Sequence, residues 1–115
     1  MSLSIAENTE NLKAIIVNAL EDLKAINIVI IPVAHLTTIT DYMIICSGTS
    51  ARHIKAIANN VITNLKKADF AEKLEGEEDS EWLLIDANDI IVHIMLPKTR
   101  DFYNLEGLWQ TDEQT

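Results

Sequence analysis

EWLLIDANDIIVHIML, residues 81–96, predicts a β-hairpin. Two apolar runs, residues 81–86 and 89–96, flank the dipeptide Ala87-Asn88. A two-residue hairpin turn requires positive φ angles, which asparagine tolerates. Pro97 cannot continue the ladder, so it ends the second strand.

The two faces of this hairpin differ in chemical character. If Asp86 lies opposite Asp89, side chains on each strand alternate between the faces. One face is wholly aliphatic and is expected to pack against helices: Leu83, Ile85, Ile90, Val92 and Ile94. The other, called here the mixed face, is predicted to contain Trp82, Leu84, Asp86, Asp89, Ile91, His93 and Met95. An exposed apolar patch of this kind is typical of a protein interface, and a third layer or a dimer contact covering it is the alternative.

Apolar periodicity predicts two helices before the hairpin. Residues 12–23 place apolar side chains at spacings of three and four, which is one face of a helix. A second helix is expected to begin after Thr49 or Ser50 as N-cap and to end near Lys66-Lys67.

Strands and a last helix complete the predicted order. The runs 27–33 and 41–47 predict strands, the first of them buried, and residues 70–74 a short one. Residues 99–109 predict a helix with inward side chains Phe102, Leu105 and either Leu108 or Trp109. Residues 75–79 read as a solvated acidic loop and residues 110–115 as a polar tail.

The length and the net charge of the chain limit the number of domains and the kinds of partner it can have. The chain has 115 residues, enough for a single domain over residues 1–115 with its core at about 10–109. Its net charge of −9 disfavours direct nucleic-acid binding and suits a basic protein partner, although many acidic proteins are simply soluble. The lone Cys46 cannot form an internal disulfide, residues 1–10 do not resemble a signal peptide, and no apolar run is long enough for a membrane span.

Catalytic motifs are weak. The turn at residues 47–50 (SGTS) could hold a phosphate, but it lacks the lysine of a P-loop, and helix capping explains it. Asp41, Asp86 and Asp89 could be imagined as metal ligands, yet no Asp-x-Asp pair is present. Cys46 is expected to be a buried thiol. We therefore predict no catalytic residue, no metal site and no cofactor.

Three ordered segments resemble the ribosomal silencing factor (Iojap) family. They are DYMIICSGTS at residues 41–50 with Arg52-His53 and residues 55–58; then Trp82, Leu84, Asp86, Asp89, Val92 and His93; then Arg100, Phe102-Tyr103, Leu105-Glu106 and Leu108-Trp109. Lys24-Ala25 and Glu75-Gly76 also fall where that family places them. The chain departs from it at Asn88, where many members carry glycine, and at Gly107, where many carry a long or charged residue.

The resemblance implies a fold and a function. The fold would be α/β, a single domain with a mixed sheet and helices mainly on one face, similar to nucleotidyltransferases without their catalytic carboxylates. A family member would bind the fourteenth protein of the large ribosomal subunit, block joining of the small subunit, and hold translation down when nutrients are short. We expect a bacterial cytoplasmic protein, associated with ribosomes and able to form homodimers.

The same resemblance guides the choice of contact residues. Apolar contact would come from Trp82, Leu84, Ile91 and Met95; basic partner residues would meet Asp86, Asp89 and Glu106; hydrogen bonds would come from His93 and Tyr103. Two other hypotheses stay open. One is an enzyme that handles a phosphate at residues 47–50, and the other is a domain whose mixed face pairs only with a second copy.

Overall fold

The computed structural model describes residues 5–76 and 80–110. The elements in chain order are α1 (Ile5–Asp22), β1 (Ile26–Pro32), β2 (Tyr42–Ser47), α2 (Ala51–Lys67), β3 (Lys73–Glu75), β4 (Trp82–Asp86), β5 (Ile90–Met95), α3 (Pro97–Tyr103) and α4 (Leu105–Gln110). Most of the acidic loop and the polar tail expected from the sequence, residues 77–79 and 111–115, lie outside the described residues.

A mixed five-stranded sheet organises the chain, in the order β1-β2-β5-β4-β3. β2 and β5 are parallel, and the other neighbouring strands are antiparallel. The predicted α/β class with a mixed sheet is confirmed. β1 was expected to be buried but is an edge strand, so much of its surface is exposed.

α1 and α2 cover one face of the sheet. Their apolar stripes meet the aliphatic face of the hairpin, as predicted from the 3.6-residue and two-residue periods. This helix-side core includes Leu12, Ile16, Leu20, Ile54, Ile57, Val61, Leu65, Ile85, Val92 and Ile94. α2 begins at the N-cap Ser50, whose hydroxyl accepts from the backbone N–H of His53, and ends at Lys67, both as expected.

The hairpin register differs from the prediction by two residues. Asp86 pairs with Ile91, Leu84 with His93, and Trp82 with Met95. The turn therefore consists of Asn88 and Asp89, with Asn88 at φ 68°. A displacement of two residues leaves every side chain of the paired strands on its predicted face, because side chains alternate with a period of two.

The predicted last helix is two helices, because Asn104 adopts a left-handed conformation with φ 47° and ends α3. The chain resumes as α4 in a new direction. Leu105 and Trp109 pack inward as expected, whereas Phe102 and Leu108 are 82% and 69% exposed. The inward prediction for Phe102 was wrong, because it assumed one continuous helical stripe.

Candidate protein-binding face

A second core lies on the sheet face opposite α1 and α2. It consists of Ile31, Val33, Met43, Ile45 and Met95, with Val29, Trp82, Leu105 and Trp109 packed against it. The last two belong to α4, which therefore covers one end of the mixed face. Met95 is 0% exposed and His93 is 6% exposed. These residues support the face from beneath, and the expectation that Met95 lies on an open surface is corrected.

Trp82 is held in a fixed orientation at the edge of this second core. Its indole Nε1–H donates to His93 Nδ1 at 2.9 Å. The ring of Tyr103 lies 4.9 Å from it, centroid to centroid. Burial lowers the pKa of His93 to about 4, so at neutral pH the imidazole is uncharged and can accept the indole hydrogen bond. Trp82 is half-buried, and these contacts restrict the rotation of its side chain.

The exposed part of the mixed face is a narrow strip on β4 and β5. Leu84, Asp86 and Ile91, called here the open strip, are each half-buried. β3 continues the face beyond them, since Lys73 pairs with Asp86 and Glu75 pairs with Leu84. The strip therefore presents two aliphatic side chains flanked by charged groups, the arrangement of a small interface with a polar rim.

Asp89 and Glu106 are not exposed on the open strip, where the sequence predicted that they would meet basic partner residues. Asp89 lies in the turn, its carboxylate 3.5 Å from the hydroxyl of Thr9 on α1, so it is directed away from the open strip. Its backbone carbonyl accepts from the N–H groups of Asp41 and Tyr42. Glu106 forms an ion pair with Arg100 at 3.1 Å. Partner contacts by these residues stay a prediction, and Glu106 could make one only in competition with Arg100.

Arg100 is the structural residue that sequence reasoning missed. It is 8% exposed, and its guanidinium bonds Ser47 Oγ at 3.0 Å and the carbonyl oxygen of Asn27 at 2.7 Å in addition to Glu106. It thus joins α3 and α4 to strands β1 and β2. An arginine in the closing signature was visible in the sequence, and Glu106 is only six residues away, but Ser47 and Asn27 are more than fifty residues away along the chain, so no local signal names them.

The loop at residues 47–50 uses its backbone donors internally. Gly48 N–H donates to the carbonyl of Met95, and Thr49 N–H donates to His53 Nδ1 at 2.9 Å. The other ring nitrogen of His53 lies 2.7 Å from the carbonyl of Leu23, which ties the loop to the end of α1. Two backbone N–H groups of the loop are therefore used within the fold, and Ser50 caps α2 as expected.

Cys46 and the possible metal ligands also give no sign of a reactive site among the described residues. Burial raises the pKa of the Cys46 thiol to about 12, so the reactive thiolate is strongly disfavoured. Among residues 5–76 and 80–110, no group of three or more His, Cys, Asp or Glu side chains could hold a metal ion. Within the same ranges, no helix has the length and apolar character needed to cross a membrane.

A mixed sheet with α1 and α2 on one face, and α4 and an open apolar strip on the other, defines a small α/β domain. Residues 6–115 match the family described as "Ribosomal silencing factor during starvation". The chain belongs to this family of ribosomal silencing factors.

Individual relatives agree with that assignment. A ribosomal silencing factor RsfS of Chromobacterium violaceum is 41% identical over 102 residues, covering 87% of this chain and 83% of the relative. The one from Haemophilus influenzae is 43% identical over 95 residues, covering 82% and 93%. A crystal structure of a Chromobacterium violaceum protein superposes with a TM-score of 0.85 at 40% identity, covering 87% of this chain and 84% of that one.

Proposed function

We propose that the protein binds the large ribosomal subunit through its fourteenth protein and thereby blocks joining of the small subunit. Translation would fall when nutrients are short, in keeping with the family description. The observation that carries the binding site is the open strip, where Leu84 and Ile91 are half-buried on a sheet face that α4 covers only at one end.

The apolar part of the contact supplies affinity. Complete burial of an aliphatic side chain contributes about 1.5–3 kcal/mol, and at most about a third of that is still available from each of these partly buried residues. Trp82 and Tyr103 extend the apolar surface, because their rings contact each other in a tilted arrangement and Trp82 is on the same strand as Leu84. The rigid placement of Trp82 by His93 means that little side-chain entropy is lost when a partner arrives.

Charge supplies the preference for a basic protein. The chain carries 18 acidic against 9 basic residues, and at the strip the carboxylates of Asp86 and Glu75 stand against one base, Lys73. Ribosomal proteins present basic surfaces, so the approach would be accelerated electrostatically. Direct attachment to ribosomal RNA is disfavoured by the same charge.

The proposed mechanism is steric exclusion, in which no residue has a catalytic role. The protein occupies a surface that the small subunit needs, and its effect follows from occupancy alone. It would act in the cytoplasm on free large subunits. Homodimers, if they form through the same strip, would have to dissociate before binding.

Co-sedimentation with isolated large subunits tests this proposal. We expect the wild type to pellet with large subunits and to prevent their association with added small subunits. Leu84→Arg places a cation on the strip opposite a basic partner and should weaken binding at least about tenfold. Leu74→Arg is the matched control, because Leu74 is also partly exposed but pairs with Ile85 and so lies on the helix side of the sheet.

The outcomes separate the hypotheses. Failure of the wild type to pellet at micromolar concentration would overturn the proposed function. Equal binding by both arginine variants would keep the ribosome as target and reject the open strip. Saturable Mg²⁺-dependent nucleotide binding, followed by fluorescence, would instead favour the phosphate-handling enzyme. Loss of dimers in Leu84→Arg with unchanged ribosome binding would mark the strip as a contact between copies.

A further inference from the structure

A cleft adjoins the covered end of the mixed face. It lies between the start of β4 and helix α3 and has a volume of about 750 Å³. Trp82, Phe102 and Tyr103 form its aromatic wall, and Glu81 and Asp101 are its carboxylates. This volume is within the range of small-ligand pockets and accommodates a long side chain with the backbone that bears it.

The aromatic wall is continuous and open to solvent. The ring of Tyr103 lies 4.9 Å from that of Trp82 and 5.0 Å from that of Phe102. Phe102 is 82% exposed and Tyr103 is 53% exposed. Large aromatic side chains held together at a surface in this way are typical of recognition sites. The wall therefore offers exposed aromatic surface to a guest.

The charged groups at the cleft indicate whether it would bind a cation or an anion. The Glu81 carboxylate accepts a hydrogen bond from the hydroxyl of Thr99, which also lines the cleft, at 2.9 Å. Asp101 is exposed on the same helix as Phe102. Lys98 also lines the cleft and partly offsets the two carboxylates. Two acids against one base, in a chain of net charge −9, favour a cation.

We propose that this cleft receives an arginine side chain of the basic protein partner. The proposal rests on the proposed function, because it extends the same binding face. A planar guanidinium can stack on an aromatic ring and bond a carboxylate in its own plane at the same time, which an ammonium cannot do. The rings would hold the guanidinium, and Glu81 or Asp101 would accept its N–H groups.

The first experiment probes the cleft without any ribosome. N-acetyl-arginine amide is titrated into the ¹⁵N-labelled protein while the Trp82 indole N–H signal is followed by NMR. We expect a saturable shift in the millimolar range. N-acetyl-leucine amide and N-acetyl-glutamate amide serve as apolar and anionic controls and should give none. A response to leucine amide as large as that to arginine amide would reject a cation as the guest.

The second experiment measures binding of three variants to isolated large subunits. Phe102→Ala and Asp101→Asn should each weaken binding about tenfold, as expected for loss of one cation–π or ionic contact in a partly desolvated site. Lys98→Gln removes the opposing charge and should tighten binding about threefold. Ile39→Ala is the control, since Ile39 is 77% exposed and precedes β2 at the opposite end of the sheet.

The failures of the two proposals are distinguishable. If the wild type does not bind large subunits, the proposed function fails, and a specific arginine shift in the NMR titration would still support a guanidinium site. If the wild type binds but Phe102→Ala and Asp101→Asn bind equally well, the cleft is not used and this inference is wrong. Weaker binding by Lys98→Gln would show that the guest is anionic and would also overturn it.

Discussion

His93 should make the stability of the protein depend on pH in a way that one substitution removes. In the folded chain the imidazole is buried beneath Trp82, and burial lowers its pKa from 6.5 to about 4. The unfolded chain therefore binds a proton at His93 at higher pH than the folded chain does. Between these two values, acid favours the unfolded state, so this contribution to stability is present above pH 6.5 and is lost as the pH falls towards 4.

The size of the effect follows from the two pKa values. At about 1.4 kcal/mol per pH unit, the difference between 6.5 and about 4 amounts to about 3 kcal/mol once both states are protonated. At about pH 5 the expected loss relative to neutral pH is roughly 2 kcal/mol. Protonation also converts Nδ1 from acceptor to donor, so the hydrogen bond from the Trp82 indole is lost at the same time.

Urea unfolding at a series of pH values between 5 and 7.5, for wild type and His93→Gln, measures this contribution. The glutamine carbonyl can still accept from the Trp82 indole, but it does not titrate. All other ionisable groups are shared by both proteins, so their contributions cancel in the difference. We expect the wild type to lose about 2 kcal/mol more than the variant on acidification to pH 5. Parallel curves would refute the reasoning.

Three further predictions concern residues outside the open strip. Arg100→Met should destabilise the fold by about 3 kcal/mol in urea unfolding, because it leaves Ser47 and the carboxylate of Glu106 without their shared partner. Ser50→Ala should cost about 1 kcal/mol in the same assay, through loss of the N-cap hydrogen bond to His53. Cys46, with its pKa raised to about 12 by burial, should resist a thiol reagent at neutral pH in the native protein and react promptly in urea; rapid native labelling would contradict its burial.

Periodicity predicted the sheet faces better than it predicted the strand pairing. The aliphatic side of the hairpin was assigned correctly because apolar residues alternate along both strands. Two registers that differ by two residues satisfy that alternation equally well. Turn geometry decided between them, since the left-handed Asn88 precedes Asp89 in the turn and Ala87 pairs with Ile90 through a backbone hydrogen bond. The choice changes the cross-strand partners and places Asp89 in the turn, but it leaves the two faces unchanged.

The candidate site was less predictable because its residues are buried by distant segments. His93 and Met95 alternate correctly onto the mixed face, yet nothing near them in sequence shows that α4 will cover that end. The covering depends on the left-handed Asn104 and on the contacts of Arg100 with β1 and β2. A continuous helical pattern across residues 99–109 conceals the break, since Asn104 is compatible with a helix interior at a modest cost.

The break at Asn104 links the two surface features that we assign to partner binding. Had one helix run through it, a single stripe would have faced the sheet. With the chain redirected, Leu105 and Trp109 cover the second core, while Phe102 stays outside and forms a wall of the cleft beside Trp82. Arg100, one turn earlier, holds this geometry against the sheet. The shape of the cleft and the extent of the open strip are therefore set together by how α3 ends, and a substitution that straightens this junction should alter both.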